Sequence, residues 1–237
     1  TMPSGIPPLP SDDQDGENGH GTSVAGIIAA AGNDRNGTAG VDWRTKILNL
    51  RAGLVGGSGF YTPNDALLAA VNAGRSLGAK INNLSLGISP PGAGFTRQGE
   101  SVFRESYFAG VLTVAAAGND PAQTPAFPAK YFPYVVAVGA TSNLGDLWDD
   151  NTINWGLFGQ TSPGLGSNYG WPLFMLAPGG RFVQTTNKNI SSGDHFVINP
   201  TLGSGHYGFG GTSAAAPVFA GTAALLRGLS LEPLTGE

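Results

Sequence analysis

Val111-Leu112-Thr113-Val114-Ala115-Ala116-Ala117-Gly118-Asn119 is an apolar run of small and β-branched residues that stops at a glycine and an asparagine. Such a run, without polar alternation, is the pattern of a strand buried on both faces. It predicts a strand over 111–116. Working outward, the pattern recurs: 46–50, 80–86, 135–141 and 173–176 read as further strands. Helices are predicted over 21–31, from about 62 to 77, over 98–109 and over 213–229. Thr62-Pro63-Asn64-Asp65 supplies an N-cap followed by proline at the first helical position. Segments 142–170 and 184–210 are rich in Gly, Ser and Asn with weak periodicity, and read as loops. Short apolar runs alternating with helices predict an α/β fold, a doubly wound, mostly parallel sheet with helices on both faces.

Composition narrows the function classes. The 237 residues suit one domain, 1–237, and 41% hydrophobic content is enough for a core. Charged residues are 12%, about half the usual ~25%. Glycine, 38 residues, is more than twice its usual ~7% share, which implies many tight turns and close backbone contacts. A net charge of −4 with no basic block argues against a nucleic-acid partner. With no cysteine there is neither a disulfide framework nor a thiolate metal site. No apolar run reaches the ~18 residues needed to span a membrane.

Two short words carry the chemistry. One is Asn18-Gly19-His20-Gly21-Thr22-Ser23, the other Gly211-Thr212-Ser213-Ala214-Ala215-Ala216-Pro217. Each sets a reactive side chain among small residues just before a predicted helix. A histidine and a serine so placed are the base and the nucleophile of acyl-transfer chemistry. A helix starting at Ser213 would aim free N–H groups at developing negative charge. The Asn119 amide, beyond the carboxyl end of a strand, stands where parallel sheets bind ligands. Taken alone, each word has a plainer reading: Ser213 as an N-cap, His20 as a turn residue, Gly118-Asn119 as a turn pair. His195 and His206 sit in polar stretches and read as loop residues. The glycines of 53–59 follow a strand, but the spacing is not Gly-x-Gly-x-x-Gly and no lysine follows, which argues against a nucleotide site.

Together and in this order, the words resemble the subtilisin-like serine proteases. The words around His20, Ser85-Leu86-Gly87, Gly118-Asn119 and Ser213 match that family in sequence order, as do Val136-Ala137-Val138-Gly139-Ala140 and Ala177-Pro178-Gly179. The resemblance implies a serine endopeptidase with His20 as general base, Ser213 as nucleophile and the Asn119 amide in the oxyanion hole. It further implies that Gly57-Ser58-Gly59 and Ser85-Leu86-Gly87 hold the peptide substrate as an added strand. Tyr61 would wall one pocket, and Ala116, Ala117 and Gly118 would line another with room for a large apolar side chain. It also implies a secreted monomer acting on peptides or proteins, with an inhibitory pro-segment in its parent. No cofactor is required for the chemistry. The family often holds structural calcium, but no acidic cluster here has ligand spacing, and the acidic stretch 12–17 reads as a solvated loop.

The chain departs from the family in one way that bears on activity. The family orients its histidine with an aspartate on the first core strand, followed by Ser/Thr-Gly and well before the histidine. Only nineteen residues precede His20, and Asp12, Asp13 and Asp15 follow prolines, not an apolar run. The expectation is therefore a sheet lacking its first core strand, a domain truncated at both ends, and a chain inactive on its own. The alternative is an inactive, peptide-binding relative on the same fold. Around Ser213 the sequence also resembles the sedolisins in part, but His20 and Asn119 favour the subtilisin side.

Overall fold

Four of the apolar runs pair into one parallel sheet. The structure is a computed structural model that describes residues 16–33, 39–56, 59–62, 64–88, 94–142, 144–149, 164–180 and 209–231. Its elements are α1 (Gly16–Ala29), β1 (Leu54–Gly56), β2 (Gly59–Tyr61), α2 (Asn64–Ser76), β3 (Ile81–Leu84), α3 (Arg97–Phe108), β4 (Leu112–Ala116), β5 (Val135–Thr141), β6 (Leu173–Pro178) and α4 (Thr212–Leu231). The sheet runs β3-β4-β5-β6, every pair parallel. The register sets Ile81 beside Leu112, Thr113 beside Val135 and Val138 beside Met175.

The strands are apolar throughout because both faces are covered. Ala115, Val135 and Ala137 turn to one face, where α2 and α3 add Leu67, Val71, Val102 and the fully buried Phe103. Val114, Ala116, Val138 and Ala140 turn to the other, against Ala215, Ala216 and Ala220 of α4 and Ile28 of α1. The alanine-rich face of α4 explains its close approach: it lies across all four strands and packs against α1. At the far corner, Thr96 caps α3 by accepting the Gly99 N–H at 2.9 Å. The Tyr131 hydroxyl ties that corner to the core by accepting the Thr96 N–H, also at 2.9 Å.

Several expectations need correcting. The predicted strand over 46–50 is irregular chain with no ladder partner among the described residues, and an open groove separates it from β3. A single strand without a partner cannot satisfy its own backbone. The glycine-rich stretch after it is not simply a loop: β1 and β2 form an antiparallel hairpin there, with Leu54 opposite Tyr61. The first helix starts at Gly16, so His20 lies within α1 and not at its mouth. Packing of α1 on α4 outweighs the poor helix propensity of Gly16, Gly19 and Gly21. The other predicted elements fall within two residues of the observed ends.

Candidate active site

The site is built on the start of α4. Gly211 turns the chain at φ +77°, a left-handed conformation that side chains disfavour, and a Cβ there would lie 3.0 Å from the Asn119 Oδ1. The Gly211 carbonyl then accepts the N–H groups of Ala214 and Ala215, at 3.0 and 3.3 Å. The Thr212 N–H donates to Asn119 Oδ1 at 2.9 Å, and the Thr212 hydroxyl donates to the same oxygen at 2.7 Å. That hydroxyl also accepts the Gly118 N–H at 3.1 Å. Of the first four N–H groups of α4, only that of Ser213 meets no acceptor among the described residues. Pro217, inside the helix, has no N–H to give the Ser213 carbonyl.

These bonds fix Asn119. Both acceptor positions of its Oδ1 are filled by Thr212, so the amide NH2 is the end left for a ligand. Asn119 and Ser213 line one pocket of about 170 Å³, together with Leu86, Gly87, Ala116 and Gly118. Its conformation is held from behind by Asn168, which is fully buried. Asn168 Oδ1 accepts the N–H groups of Asp120 at 2.9 Å and Ala122 at 3.1 Å, clamping the chain just past Asn119. Gly118 sits at φ +109°, and a Cβ there would run into the Asn168 amide. The Ser213 Oγ donates to the Ser85 carbonyl at 3.4 Å, a long contact that leaves the hydroxyl easily redirected.

The residues singled out in the sequence that the structure describes can now be placed, whereas His195 and His206 lie outside the described residues. Ser213, Asn119, Leu86, Gly87, Ala116 and Gly118 converge on the small pocket. Ala117 does not line it; its N–H donates to the Val138 carbonyl and its own carbonyl accepts the Ala126 N–H at 2.7 Å, so Ala126 forms that wall instead. His20 is exposed, its ring edge-on to Phe209 with centroids 5.1 Å apart. It lines a second, larger groove of about 1680 Å³ that also reaches Ser85. Ser85 thus touches both the nucleophile and the groove that holds the histidine. Gly59 and Tyr61 lie in β2. Gly57 and Ser58 fall outside the described residues, as do Asp12, Asp13 and Asp15.

Three residues escaped the sequence reading: Thr212, Asn168 and Ala126. Thr212 stood next to Ser213 in the quoted word, and a hydroxyl at a helix start was the available signal. Asn168 and Ala126 come from loops far along the chain and gave none. Among the described residues no three His, Cys, Asp or Glu side chains stand close enough to hold a metal ion. Among the same residues no helix is long and apolar enough to cross a membrane.

Known proteins resemble this chain. A family model described as the subtilase family matches residues 6–235. A thermophilic serine proteinase of Bacillus sp. (strain AK1) is 36% identical over 210 residues, which cover 88% of this chain and 42% of that protein. Subtilisin Savinase of Lederbergia lenta is 35% identical over 222 residues, 94% of this chain and 67% of that protein. Among solved structures, the patellamide maturation protease PatA superposes with a TM-score of 0.63 at 26% identity, over 87% of this chain and 64% of that one. The chain therefore spans between about two fifths and two thirds of the length of these relatives. With a match over nearly its whole length, the chain belongs to the subtilase family.

Proposed function

We propose that this chain carries the catalytic site of a secreted serine endopeptidase, with Ser213 as nucleophile, His20 as general base and Asn119 as oxyanion donor. The observation that supports it best is the lock on Asn119: Thr212 takes both acceptor sites of Oδ1, at 2.9 and 2.7 Å, beside an unengaged Ser213 N–H. Two donors in one pocket, held in place before any substrate arrives, are what an acyl-transfer transition state requires.

The steps follow from these groups. The substrate lies as an extended strand along Ser85-Leu86-Gly87 and Gly57-Ser58-Gly59, with one side chain in the pocket of Ala116, Gly118 and Ala126 and another near Tyr61. Ser213 Oγ bonds to the scissile carbonyl carbon and passes its proton to the neutral His20 imidazole. The carbonyl π pair moves onto oxygen, where the Asn119 amide and the Ser213 N–H donate to it. When the C–N bond breaks, the leaving amine takes the proton from His20, and an acyl-enzyme remains. Water then repeats the sequence and frees Ser213. The family resemblance adds an aspartate to orient His20, and an inhibitory pro-segment. Loss of such an aspartate would lower turnover by roughly 10⁴-fold, because the imidazole would lose its orientation and tautomer control.

A fluorophosphonate probe tests the assignment in a form of the protein that cleaves peptides. It should label Ser213, and Ser213→Ala should abolish labelling. Equal labelling of the alanine variant, or no labelling of the active form, would overturn the nucleophile. Thr212 gives a finer test. Thr212→Val removes the hydroxyl that holds Asn119 and should lower turnover by roughly 10- to 100-fold, matching ~1–3 kcal/mol of lost polar contacts. Thr212→Ser should retain most of the rate, and steady-state kinetics on a peptide anilide would separate the two.

A further inference from the structure

Segment 85–88 follows directly on β3 and carries one wall of the small pocket. The Ser85 carbonyl meets the Ser213 Oγ at 3.4 Å. Three residues on, the Ile88 N–H donates to the Phe127 carbonyl at 2.8 Å, in an isolated antiparallel bridge. Main-chain groups three residues apart in an extended chain point to opposite edges. One edge of the segment therefore meets the site, and the other is tied to Phe127. The tie continues inward, because the Ala126 N–H donates to the Ala117 carbonyl at 2.7 Å. Residues 126–127 thus bridge the two walls of the pocket, Leu86-Gly87-Ile88 and Ala116 with Gly118.

Tyr131 stands behind this bridge. It is 5% exposed, and its ring lies against those of Phe127 and Phe103, with centroids 4.9 and 5.2 Å away. Its hydroxyl accepts the Thr96 N–H at 2.9 Å and shares its proton between the carbonyls of Gly94, at 3.2 Å, and Thr96, at 3.3 Å. Three main-chain groups of one segment are fixed by a single oxygen. Gly94 in turn lies directly on the wall. It sits at φ +98°, and a Cβ there would stand 2.7 Å from the Ile88 Cδ1 and 3.3 Å from the Phe127 Cβ. Leu86 and Ile88 pack against the core cluster that holds Phe127 and Tyr131. A phenylalanine at 131 would fill the same volume, so the oxygen serves the placement of 94–96 and, through Gly94, of Ile88.

We infer that Tyr131 is a positioning residue for the substrate-docking segment 85–88. Resting on the function proposed above, its hydroxyl holds Gly94 against Ile88. That keeps the wall of 86–88 at a set distance from Gly118, and it keeps the edge of Ser85 and Gly87 extended for a peptide to add to. Tyr131 does not line the pocket, so it acts through the segment and not on the reacting atoms. Contacts along 85–88 are made alike by bound substrate and by the transition state. Their loss raises the Michaelis constant and leaves turnover unchanged. A substrate too short to reach the segment is indifferent to Tyr131.

The test compares Tyr131→Phe with the unchanged sequence, in a form of the protein that cleaves peptides. One substrate is a tetrapeptide anilide, the other an acetylated single-residue ester with the same side chain for the pocket. The Michaelis constant for the anilide should rise by roughly three- to tenfold, the scale of one lost hydrogen bond, with turnover kept within about twofold. The ester should respond to neither degree. Gly94→Ala drives a methyl group into Ile88 from the far side of the same tie, and should give the same pattern. Thermal melts select an assay temperature at which each variant is folded. In the Ser213→Ala background, calorimetry should show the Kd of the uncleaved tetrapeptide weakened by the same factor when Tyr131→Phe is added. An unchanged Michaelis constant and Kd in both variants, equal losses on both substrates, or a fall in turnover alone would overturn the positioning role. A weakened Kd in a protein that Ser213→Ala leaves fully active would keep the positioning role and sink the catalytic assignment.

Discussion

Replacing Ser213 with alanine, in a form of the protein that cleaves peptides, is expected to lower turnover by about 10⁶, the scale known for subtilisin itself and not a figure from this geometry. The variant keeps the two oxyanion donors, the pocket wall at Ala126 and the strand-like docking of substrate. It loses only the atom that attacks. Residual catalysis of roughly 10³–10⁴ over water should survive, because donors and binding still act on a water nucleophile. The Michaelis constant should change little, since Ser213 Oγ holds only a 3.4 Å contact to the Ser85 carbonyl and none of the substrate's main chain. Steady-state kinetics on a peptide anilide would show this. A drop of less than about tenfold would mean that another group attacks.

Replacing Asn119 with alanine should lower turnover by roughly 10²–10³, equivalent to about 3–4 kcal/mol, again a magnitude established for the family's asparagine. The loss should fall on turnover and not on the Michaelis constant, because the amide meets charge that exists only in the transition state. The structure adds a side effect. Asn119 Oδ1 is the shared acceptor for the Thr212 N–H and hydroxyl, so its removal leaves two donors at the start of α4 without their partner. A modest fall in thermal midpoint, about 1–3 kcal/mol of stability, should accompany the rate loss. A mainly Michaelis-constant effect would assign Asn119 to substrate binding.

Much of this architecture was legible because burial on both faces leaves an unmistakable pattern. The runs around Val114 and Val138 have no polar alternation, and they lie in the sheet interior with a core on each side. Segment 46–50 carries similar composition but lacks a partner among the described residues, and composition cannot report whether a partner is present. The sequence pattern puts His20 just before its helix; the packing of α1 on α4, a long-range contact, extends the helix back to Gly16. Ser213 and Asn119 were legible as words, and the structure brings them to one pocket. What holds them there was not. The Asn168 clamp reaches across 48 residues to Asp120, and nothing in the sequence near either residue announces it. Ala126 takes the wall expected of Ala117 because its N–H pairs with the Ala117 carbonyl, a register set by tertiary folding.

The central claim is that acyl transfer runs through Ser213 in the pocket that Asn119 shares. The most direct measurement is to trap the intermediate. A peptide ester would be mixed with a form of the protein that cleaves peptides, quenched in acid within the first turnovers, and digested for mass spectrometry. The account predicts an acyl adduct on Ser213 that forms in a burst, disappears as product accumulates, and is absent from Ser213→Ala. Product release with no adduct on Ser213 at any time, or an adduct on a different residue, would contradict it.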